Sequence, residues 1–296
     1  MKKNYIYAIL TVVIWATMAT AVKLLLADIP NLQALSVSSG FAFAFMLIVN
    51  ILTGKIHLMK KYCALDFAKM SGLGFLGLFL YSALYYYGIS VLTSQEACIL
   101  NYLWPIMLLV FSCLILKEPV TARKILAMIC SFVGIIILTL GSGAAGSGNQ
   151  AAGIFACIAA AVCYGLFSVL NKKADFDQNI TMMIIWLTVA VCAGILGKNT
   201  EQWVAIEGVQ WIGILWLGVV IDAVAYLTWA LALNSAENTA RIANLAYLTP
   251  FLSVVISAVC LGEEVKVNAV VALVFIVGGI LVQSLEKQGF PENKGN

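Results

Sequence analysis

Apolar runs long enough to cross a bilayer dominate this chain and leave little else to build with. A run of about 20 apolar residues spans the hydrocarbon core as a helix. Ten such runs occur, at roughly 4–26, 31–52, 69–88, 94–116, 121–140, 151–171, 179–197, 209–232, 239–261 and 266–285. In lipid each backbone polar group must be satisfied within its own segment or a closed barrel, so runs of this length read as helices. Only 10% of the 296 residues are charged, against roughly 25% in soluble domains. The predicted fold class is an all-α polytopic membrane protein with ten transmembrane helices. No small-residue cleavage site follows the first run, which is therefore read as a retained helix.

Charge sets the expected orientation. With the N-terminus inside, the inner segments hold Lys2, Lys3, Lys55, Lys60, Lys61, Lys69, Lys117, Arg123, Lys124, Lys172, Lys173, Lys287 and Lys294, and the outer loops hold only Lys198 and Lys266. That bias predicts both termini in the cytoplasm. The net charge of +3 then reflects topology and implies no nucleic-acid partner. The eight cysteines form no CxxC pair, and seven lie within the runs, where they serve as small polarizable packing residues.

The chain also repeats itself. The low-complexity segment "GSGAAGSGNQ" (141–150) separates a first half, 1–140, from a second, 151–296, with five runs each. A shift of 145 residues lays 101–137 on 246–282 with eleven ungapped identities, including Tyr102/Tyr247, Pro105/Pro250, Ser112/Ser257, Glu118/Glu263 and Gly134/Gly279. Upstream it matches Tyr81/Tyr226 and Ser90/Ser235. Five is odd, so the second copy enters the membrane from the opposite side. Inverted-topology repeats are the architecture of many secondary transporters, with substrate bound near the midplane where helices are interrupted.

Pro105 and Pro250 lie near the centres of runs four and nine. Each releases the carbonyl four residues earlier, at Asn101 and Ala246. Such groups survive at this depth when neighbours satisfy them or when they line a polar cavity; two symmetry-related interruptions favour the cavity. Asp222 lies near the centre of run eight, where a carboxylate is costly and must face protein or water. Tyr226 and Trp229 follow at i+4 and i+7 on the same helical face. That face suits an amine, by charge and cation–π contact, and equally a protonatable coupling site; a structural pair with Lys23 or another span is the plain alternative. Tyr81 shares a face with Tyr85, Asn101 with Trp104, and Trp15 has Tyr164 as its repeat equivalent. Each is a candidate cavity residue, with core packing as the competing role.

Other features read as structural. Tyr86 and Tyr87 fit an interfacial belt, and Lys23 can snorkel outward. Thr93 to Glu96 fits a capping box. Arg241 in a first helical turn opposes the helix dipole, so a carboxylate or acidic lipid is a plausible partner, as is snorkelling. Gly72-Leu73-Gly74-Phe75-Leu76-Gly77 matches GxGxxG without a preceding strand, and is read as small residues easing helix contact. There is no GxxxxGK[ST] loop, HExxH or nucleophile motif, and the single histidine, His57, has no ligand partner. No enzyme activity, cofactor or metal is expected.

The paired endings Pro105…Lys117-Glu118 and Pro250…Gly262-Glu263, on 5+5 runs, resemble the EamA-type members of the drug/metabolite transporter superfamily. Within that likeness, "VVIWATM" (12–18), "NYLWP" (101–105), "SVLNKKA" (168–174) and "AYLTWA" (225–230) are similar to the aromatic amino acid exporter branch. The resemblance implies an inner-membrane exporter with runs one, three, four, six, eight and nine around a central cavity. By position, Trp15, Tyr81, Asn101, Trp104, Tyr164, Tyr226 and Trp229 would line it. Asp222 matches no motif of that branch, and it keeps a cationic amine open as the alternative substrate to an aromatic amino acid.

Overall fold

The computed structural model describes residues 2–141, 148–234 and 244–284. Eight helices are long and apolar enough to cross a membrane: α1 Lys3–Leu25, α2 Asn31–Leu52, α3 Ala64–Val91, α4 Ser94–Ile115, α5 Ala122–Leu140, α6 Asn149–Ala174, α7 Gln178–Thr200 and α8 Gln210–Ala232. Two shorter apolar helices follow, α9 Leu245–Leu261 and α10 Val267–Val282. No strand occurs among the described residues. The chain is a polytopic membrane protein with a ten-helix fold in two repeats. Most of the expected linker, Arg241 and the tail after Ser284 lie outside the described residues.

Helix pairing repeats with the sequence. The helix pairs α2–α7 and α5–α10, each joining repeat equivalents, make the most extensive contacts. α6 packs on α3 and α4, and its equivalent α1 packs on α8 and α9. The Gly134/Gly279 identity has a physical cause here. A Cβ on Gly134 would lie 2.8 Å from the Ala272 carbonyl oxygen, and one on Gly279 3.0 Å from that of Ala127. α5 and α10 therefore touch backbone to backbone, the contact that small residues permit between membrane helices.

Several acidic side chains serve the starts of helices. Glu201 accepts from the Leu32 and Gln33 amides at the start of α2, and Asp177 from Asn179 and Ile180 in α7. The capping box at α4 is present, with Thr93 Oγ1 accepting from the Glu96 amide at 3.1 Å and Glu96 accepting from the Thr93 amide at 3.2 Å. Anionic groups at helix N-termini meet unsatisfied amides and the positive end of the dipole.

Four expectations need correction. Tyr86 is fully buried instead of interfacial, while Tyr87 is exposed. Lys23 does not pair with Asp222: its ammonium reaches the end of α3, where it donates to the carbonyls of Ile89 at 2.7 Å and Leu92 at 2.6 Å. Gly74 and Gly77 do pack closely, against Ile185 and Phe167, but Gly72 faces open space. The Ala246 carbonyl is not free, because the Tyr102 hydroxyl donates to it at 2.6 Å.

Candidate functional site

Three irregularities in the helices shape one cavity. α4 breaks at Tyr102–Leu103 and resumes at Trp104; its repeat equivalent α9 runs as a 3-10 turn over Asn244–Leu248 and resumes as α-helix at Thr249. Trp104 and Thr249 are themselves 145 apart, so Pro105 and Pro250 each stand second in the resumed helix, where a missing amide costs little. α1 breaks at Thr17, whose hydroxyl donates back to the Ile14 carbonyl at 2.7 Å and accepts from Trp216 Nε1 at 2.9 Å. The third irregularity has no counterpart in the sequence reading. α3 is π-helical over Gly74–Phe79 and α8 over Trp216–Val224. Shifted by 145, the first falls on 219–224, within the second. Wide turns of this kind often mark functional sites, and Asp222 lies in one.

The cavity, of about 170 Å³, is lined by all eight candidate residues: Trp15, Tyr81, Asn101, Trp104, Tyr164, Asp222, Tyr226 and Trp229. Ala246 and Thr249 line it, while neither Pro250, which is buried, nor Pro105 is part of the lining. Tyr85, Tyr102, Ser253 and Trp186 also line it. Trp186 was missed because it belongs to α7, outside the six helices expected around the centre. Nothing in its local sequence separates it from a packing residue.

Part of the aromatic frame is two-fold. Trp15 meets Tyr226 edge-on at 5.7 Å, and the equivalent pair, Tyr164 and Tyr81, meets at 5.0 Å. Trp229 lies 5.4 Å from Trp15, and Trp104 lies 5.2 Å from Tyr164; the repeat places Leu84 and Thr249 at their equivalent positions, so these two rings lie outside the two-fold relation. The Tyr164 and Tyr226 hydroxyls, 3.2 Å apart, join the two sets.

The polar groups break that symmetry. Asn101 has Ala246 as its equivalent, and Asp222 has Gly77. Asn101 Nδ2 donates to the Tyr81 hydroxyl at 3.1 Å, while its Oδ1 is buried without a partner among the described residues. Asp222 is 6% exposed, and no ion pair or hydrogen bond reaches it among the described residues. Among the described residues no lysine or arginine lines the cavity.

One helical turn beyond Cys98 and Ser253, a polar layer closes this end. Ser94 Oγ donates to Ser257 Oγ at 2.9 Å, and Ser257 Oγ lies 3.1 Å from Thr20 Oγ1, tying α4, α9 and α1 together. Glu263 completes the layer, accepting from the Ser94 amide at 2.7 Å and the Gln95 amide at 3.1 Å.

A ten-helix bundle in two repeats, with an aromatic cavity where its helices are interrupted, defines a membrane transporter. The chain matches the EamA-like transporter family over residues 2–140 and 151–285 and belongs to that family. It is a transporter and not an enzyme. An uncharacterized transporter of Clostridium kluyveri is 24% identical, the match covering 95% of this chain and 93% of the relative. The aromatic amino acid exporter YddG of Ancylobacter novellus is 24% identical over 71% of this chain and 73% of its own. A crystal structure of a protein 20% identical superposes with a TM-score of 0.68, covering 96% of this chain and 97% of that one. At that identity it speaks to the fold alone.

Proposed function

We propose that the chain is a secondary transporter that exports aromatic amino acids across the cytoplasmic membrane by alternating access. The observation that carries this reading is the size and lining of the cavity. Its volume is about 170 Å³, and an apolar cavity of about 150 Å³ holds one benzene ring. The substrate ring lies among Trp15, Trp104 and Tyr164, and its amino group meets Asp222 and the unpaired Asn101 Oδ1. Tyr81 accepts from Asn101 and so keeps its own O–H to donate. With the Thr249 and Ser253 hydroxyls it serves the substrate carboxylate, since no cationic side chain lines the cavity among the described residues. Release requires the Ser94–Ser257–Glu263 layer to part while the opposite end closes. The likeness to the YddG exporter supports the substrate class.

A cationic amine is the second reading, favoured by the unpaired Asp222 inside an aromatic box, where charge and ring faces act together. Counterflow in proteoliposomes separates the two. Labelled phenylalanine should exchange and be inhibited by unlabelled tryptophan and tyrosine, with choline inert. Choline exchange without phenylalanine exchange transfers the assignment to amines. Exchange of neither overturns both.

A further inference from the structure

A second concavity lies between α3 and α6, away from the central cavity. Lys69, Gly72, Leu73 and Leu76 on α3, with Leu170 and Lys173 on α6, form most of the walls of this groove of about 530 Å³. The helices run in opposite directions, yet both place a lysine at the same end. On α3 the chain proceeds inward from Lys69 through Leu73 to Leu76, at i+4 and i+7. On α6 it proceeds outward from Leu170 to Lys173, at i+3. Cationic heads thus stand at the mouth and apolar side chains below them. Gly72 opens the floor, for a Cβ added there would meet nothing within 4 Å.

Ion pairing at the mouth is slight. Lys69 has only Asp66, at 3.7 Å, and that carboxylate already accepts from the Cys63 amide at 3.1 Å. Lys173 has no ion-pair partner among the described residues. An ammonium carries three donors, so most of the donating capacity here is unspent. A groove with two cations at its mouth and an apolar floor at a helix's membrane boundary complements one kind of molecule: an amphiphile with an anionic head.

We propose that this groove is a binding site for an anionic phospholipid, its phosphate between Lys69 and Lys173 and one acyl chain laid over Gly72 against Leu76 and Leu170. The site is independent of the transported substrate.

Native mass spectrometry of the purified full chain, titrated with phosphatidylglycerol or phosphatidylcholine, tests it. Phosphatidylglycerol should bind the wild type more tightly than phosphatidylcholine. Lys69→Gln with Lys173→Gln should weaken it about thirtyfold, at about fivefold for each lysine near a charged lipid surface. Gly72→Leu changes no charge and fills the floor; losing the contact of a couple of methylenes should weaken binding by about tenfold. Gly72→Ala, with one methyl, should fall between. Unaltered melting temperatures establish that the variants fold. Equal binding of the two lipids overturns the proposal. So does full phosphatidylglycerol affinity in Gly72→Leu, which would reduce the lysines to general surface attraction. Displacement by glycerol phosphate at matching concentration also overturns it, by making the head alone the ligand.

Discussion

Lys117 and Gly262 occupy equivalent places at the ends of α4 and α9, and both have left-handed backbones, with φ of 56° and 66°. Glycine bears this conformation freely, whereas a residue with a Cβ pays roughly 1–2 kcal/mol. Lys117→Gly should therefore raise stability by about 1 kcal/mol without altering transport, measured as a shift in urea midpoint. The turn explains the glutamate that follows each residue: the reversed chain brings Glu263 back onto the start of α4, and Glu118 to Lys124 at 3.3 Å. The paired Glu118 and Glu263 were legible as a repeat in the sequence. What they touch was not, because the partner of Glu263 lies 169 residues away. Asp222 is the opposite case, conspicuous in sequence as a mid-membrane carboxylate and without an ion pair or hydrogen bond among the described residues. Asp222→Asn keeps size and shape but removes the charge. It should lower phenylalanine counterflow at least about tenfold, the loss of a charge-assisted bond worth roughly 1.5–3 kcal/mol. Wild-type flux in this variant would remove Asp222 from the site.

At the scale of elements, helix existence and order were legible because apolar length alone decides them. The interruptions at Pro105 and Pro250 could be anticipated from the missing amide, but not the Tyr102 hydroxyl that crosses between repeats to the Ala246 carbonyl. The π-helical turns left no trace in composition, because they arise from how α3 and α8 must pass their neighbours. Gly218 is the tightest of these points. A Cβ there would lie 2.1 Å from the Ser38 carbonyl oxygen on α2, within the turn that carries Asp222. Backbone cannot give way as a side-chain tip can, so Gly218→Ala should cost about 2–3 kcal/mol. It should also displace Asp222 and depress transport. Gly278→Ala, with nothing within 4 Å of its added methyl, is the control that should leave both unchanged.

For the whole molecule, the two halves share the Trp15–Tyr226 and Tyr164–Tyr81 pairs yet differ in Trp104, Trp229 and the polar groups, so the cavity is two-fold in its inner rings and asymmetric in chemistry. Lysine bias predicts which end faces the cytoplasm. Single cysteines placed in a chain lacking its native eight should react with an impermeant maleimide in intact cells when they stand at 201–207, but not at 55–61. Labelling in the reverse pattern would invert the orientation and with it the direction of export. The backbone contact between α5 and α10 bears on how such motions can be watched. Neither helix lends a side chain to the cavity, and each holds the other at glycine distance. Their amides should exchange with deuterium more slowly than any others and ignore added substrate. Exchange at Trp216–Val224 should slow when phenylalanine is bound. α5 and α10 thus supply an internal clock, measured on the same molecules, against which that slowing can be timed.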